Sequence, residues 1–376
     1  CAMLKVVSFG YQAVLMVPTE VLAKQHHETI TNFLKDIKLT PSLILGQTRL
    51  KKNILNEQLR KIKDGTIKLI IGTHALISKN IEYKSLKLAI IDEQHKFGVN
   101  QRIAIAQKGK DVNLLVMTAT PIPRSLALTS YGDMSISNLR SKPKGRQKIE
   151  TSMISSLKIN ELLVGLDRKI SNGSLIYWIC PAIEENDDND LISIDERYKK
   201  LLKAFPKTNI SIAHGKQEVY DRNLSIKKFK NGESKILLST TVVEVGVDIP
   251  EADIIIIECA NRYGLAQLHQ LRGRVGRGIK KSNCILLYEN NLSYIAEQRL
   301  KTLKHNHDGF KIAEEDLILR GPGEILGTKQ SGDNSFKFVN FKFHSNLIDI
   351  AKSEAEIIYN KKSKSEIEAL LKIYQN

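Results

Sequence analysis

The sequence is short of the features that mark several protein classes. Only four of its 376 residues are cysteines, Cys1, Cys180, Cys259 and Cys284, and no two have the short spacing of a zinc site. Four cysteines in a chain this long do not make a disulfide framework, so reduced, mostly buried thiols in a cytoplasmic protein are expected. No apolar run approaches the roughly 18 residues that a membrane-spanning helix needs, and no membrane partner is expected. A basic-then-apolar leader is also missing, which argues against export. The first Met is Met3, behind Cys1, so the sequence reads as a piece of a longer product. No short repeat and no low-complexity tract stands out.

What remains is ordinary folded composition, 42% hydrophobic and 26% charged. At roughly 100–200 residues per domain, the length fits two domains or three. Lys and Arg number 57 against 41 Asp and Glu, for a net charge of +16. Such an excess favours a polyanionic partner, nucleic acid first; a lysine-rich solvated surface is the plain alternative.

Near-continuous apolar runs fall at 12–17, 42–45, 68–71, 87–91 and 113–117. They read as buried parallel strands, because they do not alternate. Segments 20–34 and 50–62 between them carry helical spacing. A βαβα order implies an α/β fold with helices on both faces of a parallel sheet. The polar, basic stretch 141–148 contains Pro143 and Gly145 and resembles a linker. A second array follows, with runs at 175–180, 209–213, 235–239, 253–258 and 283–288. Past 291 the strand signal fades into a helix candidate at 292–304, a Gly-rich polar stretch at 320–332 and helices within 346–373. The expected organisation is a first domain at 1–142, a linker at 143–150, a second domain at 151–290 and a smaller helical region at 291–376.

Several strand ends carry chemistry. The run at 87–91 ends in Asp92-Glu93-Gln94-His95. Ligands in open α/β sheets bind at the carboxyl ends of strands. An acid there can hold Mg²⁺ through its water shell while its neighbour orients a water. A strand that merely ends in acidic loop residues is the alternative. Thr118-Ala119-Thr120 follows the next strand; its hydroxyls can sense a phosphate, or form a plain turn. Gln270, Arg274 and Arg277 have the spacing to share one helix face and meet a phosphate with two guanidiniums. The glycines between them argue against an ordinary surface helix. Thr240 leaves a strand, the chain turns at Gly246, and Asp248 can orient a ribose or cap a helix. Pro18-Thr19 and Gly72-Thr73 sit where helix N–H groups and a hydroxyl can take a nucleic-acid phosphate, or where Thr simply caps a helix. The acidic cluster Glu184, Glu185, Asp187, Asp188 and Asp190 lacks the spacing of a Ca²⁺ loop and reads as a solvated loop.

Seven blocks combine these signals: VPTEVLAKQH (17–26), GTHALI (72–77), DEQHKFGV (92–99), MTATPIPRSLALTSYGD (117–133), TTVVEVGVDIPEA (240–252), GLAQLHQLRGRVGRG (264–278) and DGFKIAEEDLILRGPGEILGTKQSG (308–332). The set resembles superfamily 2 nucleic-acid helicases, and within them the RecG family of bacterial ATP-dependent DNA helicases. The likeness covers nearly the whole chain. The last block resembles the translocation motif that this family shares with the transcription-repair coupling factor, and the DEQH and LRGPGE spellings fit RecG better.

The resemblance implies two RecA-like domains, the first incomplete at its N-terminus, then a small helical region. It implies ATP and Mg²⁺ as cofactors and forked or four-way double-stranded DNA as partner. Asp92 would bind Mg²⁺ and Glu93 would activate water. Gln94 and His95 would tie that site to the second domain, assisted by Gln270. Thr118, Ala119 and Thr120 would couple hydrolysis to motion. Gly246 and Asp248 would lie by the nucleotide, and Arg274 and Arg277 would be arginine fingers across the cleft. Pro18, Thr19, Gly72, Thr73 and Thr240 would meet DNA. Arg320, Gly321 and the loop to Gln330 would turn closure into a pull on the duplex.

One departure is severe. The sequence contains no Gly-x-x-x-x-Gly-Lys-[Ser/Thr] phosphate loop; Gly215-Lys216 is followed by Gln217. The first domain is therefore expected to lack its first strand and the phosphate-contacting lysine, and the family's N-terminal wedge region is absent too. Such a chain would be inactive alone, would expose an aggregation-prone sheet edge, and could need a separate chain carrying the loop. Two rivals stand beside the helicase motor: a non-hydrolysing DNA- or partner-binding remnant of a split gene, and the motor of the transcription-repair coupling factor.

Overall fold

Apolar runs become parallel strands when helices cover both of their faces. In the computed structural model, which describes residues 1–37, 39–46, 52–119, 135–139, 147–181, 194–215, 217–240, 251–276, 281–320, 347–363 and 365–369, this happens twice. The first sheet holds β1 (Gln12–Met16), β2 (Ser42–Ile44), β3 (Leu69–Gly72), β4 (Leu86–Ile91) and β5 (Asn113–Val116), in the order β2-β3-β1-β4-β5. Every pairing in it is parallel. Strand side chains alternate between faces, and here both faces are apolar. Val14, Met16, Ile70, Ala89 and Ile91 feed one core; Ala13, Leu15, Leu69, Ile71, Leu88 and Ile90 feed the other. Around the sheet lie α1 (Ala2–Ser8), α2 (Glu20–Phe33), α3 (Lys52–Lys63) and α4 (Val99–Ala106).

A buried amide seals one end of this sheet. Gln12 donates from Nε2 to Ile62 O and Ile67 O, both at 2.8 Å, and its Oε1 accepts from Ser85 N at 3.0 Å. At one side the sheet ends with β5. Among the described residues β5 pairs only with β4, and Leu115 and Met117 are 41% and 37% exposed.

The second sheet has six strands: β6 (Ile149–Ser155), β7 (Ile176–Cys180), β8 (Ile210–Ala213), β9 (Ile236–Thr240), β10 (Ile254–Ile257) and β11 (Ser282–Tyr288), ordered β6-β11-β10-β7-β9-β8. Helices α5 (Ile159–Ser171), α6 (Ile194–Ala204), α7 (Val219–Lys230) and α8 (Leu265–Arg272) accompany it. The two sheets belong to two compact units, the first built on residues 1–119 and the second on most of the remainder.

The expected linker 143–150 is corrected at its end: Ile149 and Glu150 open β6, which pairs with β11 along seven positions. β6 is an edge strand whose burial alternates, so Glu150, Thr151 and Ser152 break the apolar run that marks a central strand. The helical region follows as α9 (Tyr294–His305), α10 (Gly309–Arg320), α11 (Ile348–Lys361) and a helical stretch at 365–369. α10 packs on α8 and α9. No helix among the described residues is long and apolar enough to cross a membrane.

Candidate functional site

The carboxyl edge of the first sheet gathers the expected residues of that unit. Met16 and Ile91 are partners in register at the ends of β1 and β4, and Ile91 faces Val116 of β5. The next residue after β4 is Asp92, whose N–H donates to Met16 O at 3.0 Å. Glu93 then turns the chain in the left-handed region, with φ 51° and ψ 53°. A side chain with a Cβ costs energy there, and such strain gathers at functional sites. The turn lets Glu93 N–H donate to Asp92 Oδ1 at 2.9 Å. The other oxygen of Asp92, Oδ2, meets His26 Nε2 of α2 at 3.1 Å. Asp92 and Glu93 are both half-buried, so solvent reaches the pair.

Gln94 is buried, and its N–H donates to Met117 O at 3.2 Å, which ties the turn to the end of β5. Thr118, half-buried, and Ala119, exposed, follow on that strand's exit. His95 lies in a short 3-10 turn at Gln94–Lys96; its side chain is outside the described residues, as is Thr120. Asp92, Glu93, Gln94, Thr118 and Ala119 are thus brought together by neighbouring strands.

Thr19 caps α2, its Oγ1 accepting from Leu22 N at 3.3 Å, and Pro18 beside it is half-buried. The plain use of a threonine at a helix start is therefore realised. Gly72 ends β3 where a Cβ would lie 2.3 Å from Ile44 O, so only glycine allows the two backbones to approach. Thr73 is 2% exposed, and among the described residues its buried hydroxyl has no hydrogen-bond partner.

In the second unit Gln270 lies on α8, half-buried. The expectation that Arg274 shares a helix face with it is corrected. α8 stops at Arg272; Arg274 N donates to Leu271 O and Val275 N to Arg272 O, so three-residue turns replace the helical ladder. Gly276 takes φ +75°, and a Cβ there would come within 2.8 Å of Ile149. Arg274 is half-buried in that turn. Thr240 is the last residue of β9 and half-buried, and Arg320 ends α10 with its side chain outside the described residues. Arg277, Gly246, Asp248, Gly321, Gln330 and the acidic cluster 184–190 also lie outside them.

Sequence reasoning assigned no role to four residues that the structure makes prominent. His26 stands on Asp92. Arg272 is 4% exposed and donates from Nη1 to Leu303 O at 2.7 Å and Asn306 O at 2.8 Å, and burial holds its pKa below the ordinary arginine value. Arg197 and Glu258 form a buried pair, described below. The available signal for His26 was its place seven residues after the cap of α2, two turns along the same face.

A divalent cation fits the first unit on one condition. Among the described residues no group of three or more His, Cys, Asp and Glu side chains could hold a metal. One strand-end carboxylate suits Mg²⁺, which keeps several waters and leans on substrate phosphates rather than on an all-protein cage.

Comparison with known proteins extends these observations. The family model for DEAD/DEAH box helicase matches residues 1–129, and that for the helicase conserved C-terminal domain matches 157–278. The model for ATP-dependent DNA helicase RecG, domain 3, C-terminal, matches 306–375. The ATP-dependent DNA helicase RecG of Synechocystis sp. is 43% identical over 356 residues, which is 94% of this chain and 42% of that protein. The chain belongs to the RecG family. The RecG of Escherichia coli is 40% identical over 341 residues, 89% of this chain and 49% of its own. A solved structure of RecG bound to a three-way DNA junction matches with a TM-score of 0.71 and 38% identity, covering 92% of this chain and 45% of the other. The chain spans about half the length of the curated RecG relatives it matches.

Proposed function

We propose that this chain carries most of an ATP-driven DNA translocase motor of RecG type, acting in the cytoplasm on forked and four-way DNA. One observation carries the reading: Asp92 and Glu93 leave β4 together at the carboxyl edge of a doubly covered sheet, solvent-accessible, with Thr118 at the exit of the next strand. Bound ATP would supply the hydrolysable phosphoanhydride, and Mg²⁺ would neutralise its phosphates. Asp92 holds the cation through water, and Glu93, fixed by the left-handed turn, orients the attacking water. Gln94 and His95 act at the nucleotide with the neutral amide of Gln270, and Arg274 and Arg277 supply positive charge to its phosphates. Gly246 and Asp248 border the ribose. Thr118, Ala119 and Thr120 relay the state of the phosphates.

Duplex DNA lies against the segments that hold Pro18, Thr19, Gly72, Thr73 and Thr240, and is moved by the segment from Arg320 through Gly321 to Gln330. The net charge of +16 supports a polyanionic track. The phosphates also need a loop that these 376 residues do not contain. A polypeptide segment carrying it, joined or separate, completes the motor, and the 376-residue chain alone is inactive.

The test is the ATPase rate of the 376-residue chain and of the full-length protein, each with and without a forked duplex. DNA-stimulated turnover in the full-length protein, lost in Glu93→Gln, supports the motor. Salt-sensitive DNA binding without any turnover there would replace it with a binding module.

A further inference from the structure

The two units repeat one device at the ends of equivalent strands. In the first, β1 leads to α2, β1 pairs with β4, and Asp92 follows β4 with its N–H on Met16 O. In the second, β7 is followed by α6, β7 pairs with β10, and Glu258 follows β10 with its N–H on Ile179 O at 2.9 Å. Each acid is followed by a left-handed residue, Glu93 or Cys259, and a short 3-10 turn. Then comes a glycine whose N–H donates to a glutamine three residues on: Gly98 to Gln101 at 3.1 Å, Gly264 to Gln267 at 3.2 Å. In both units the helix after the neighbouring strand sends a nitrogen base or cation onto the acid.

The partners differ in strength. Arg197 of α6 grips Glu258 with both Nε, at 3.0 Å, and Nη2, while Trp178 Nε1 donates to the same carboxylate at 3.0 Å. That pair is sealed, with side chains 4% and 2% exposed. A guanidinium fork and an indole leave the carboxylate no capacity for a cation. His26 offers Asp92 a single ring nitrogen, and the two side chains are 32% and 21% exposed. The carboxylate is held in place but not consumed.

We propose that His26 is a positioning residue for Asp92: its imidazole fixes the carboxylate so that it can meet a hydrated Mg²⁺, and it ties α2, which begins at the Thr19 cap, to that site. This rests on the reading of Asp92 as the cation-holding carboxylate. Groups that orient a ligand without touching the metal change affinity by about 10–100-fold when removed.

The experiment has two readouts. In the full-length protein, the Mg²⁺ concentration for half-maximal ATP hydrolysis on a forked duplex is measured for His26→Ala, His26→Gln and His26→Arg. Removal should raise it about tenfold or more, with the rate recovered at high Mg²⁺. Gln, which keeps a donor, should lie near wild type, and Arg, which copies the second unit, should resist Mg²⁺ most. In the 376-residue chain, ¹⁵N spectra of the imidazoles should show the His26 Nε2 signal moving in Asp92→Asn. An unmoved signal, or a folded His26→Ala with wild-type Mg²⁺ dependence, overturns the proposal. If Asp92→Asn itself leaves Mg²⁺ dependence intact, the underlying cation assignment has failed instead, and the spectra alone decide whether His26 holds Asp92.

Discussion

Glu93 and Cys259 adopt the same left-handed backbone at the same place in two different sheets, with φ 51° and 48°. Each lets the chain fold back over the end of a buried strand whose last carboxylate must stay put. Cβ-bearing residues hold that conformation at a cost of about 1–3 kcal/mol, which the surrounding structure must offset.

Strain of this kind predicts an uncommon ranking. Glu93→Gly relieves the backbone, whereas Glu93→Ala keeps the strain and loses the side chain. The glycine variant should be the more stable of the two by about 1 kcal/mol in urea unfolding followed by far-UV circular dichroism. Both should lack hydrolysis in the full-length protein. Equal stability of the two variants would show that the turn is unstrained.

The buried Arg197–Glu258 pair predicts a different pattern. Removing one partner leaves a charge without compensation, a loss of about 3–5 kcal/mol. Arg197→Met should therefore unfold the second unit early. Arg197→Met combined with Glu258→Gln should regain part of the loss, because no ion is then stranded. Trp178 is the sole tryptophan and is fully buried against this pair, so its fluorescence follows the unit without added labels.

The thiols predict the alkaline behaviour. Burial pushes Cys259 and Cys284 up to about 12, and Cys180 is raised as well by burial and the Glu258 carboxylate. A raised folded-state value means that the native state binds the proton more tightly than the unfolded chain. Stability from these groups is complete below about pH 8.5, the range of a free thiol, and drains away as pH climbs toward about 12. Urea midpoints should thus fall between about pH 8 and about pH 10. Under native conditions at neutral pH an aromatic disulfide reagent should modify Cys1 alone, and after denaturation all four cysteines.

Much of this architecture is written in local sequence. Central strands such as β1 and β10 are unbroken apolar runs, since both of their faces are covered, and their ends fall within a residue or two of the expected positions. β6 was hidden because an edge strand has one partner and can afford Glu150 and Ser152. α8 ends before the arginine spacing does, because that spacing carries a helical period even where Gly273 and Gly276 stop the helix. Asp92 and Glu93 were legible as adjacent acids at a strand end. His26 was not, because it sits on α2 while its partner follows β4, and only the pairing of β1 with β4 makes them neighbours. The likeness between the two strand-end turns was also hidden: outside Gly98 and Gly264 with their glutamines, it lives in backbone angles and hydrogen bonds rather than in shared letters.

Arg272 has a consequence for how the molecule can be divided. Its guanidinium serves as the missing final turn of another helix, taking up the terminal carbonyls of α9 from inside the second unit. Neither helix can fray without stranding a buried cation or two bare carbonyls. A chain cut at residue 290, where the strand signal fades, would lose those acceptors and destabilise the last turn of α8, which carries the arginine. α9, and α10 packed on α8 and α9, therefore melt with the sheet they follow, in one cooperative transition.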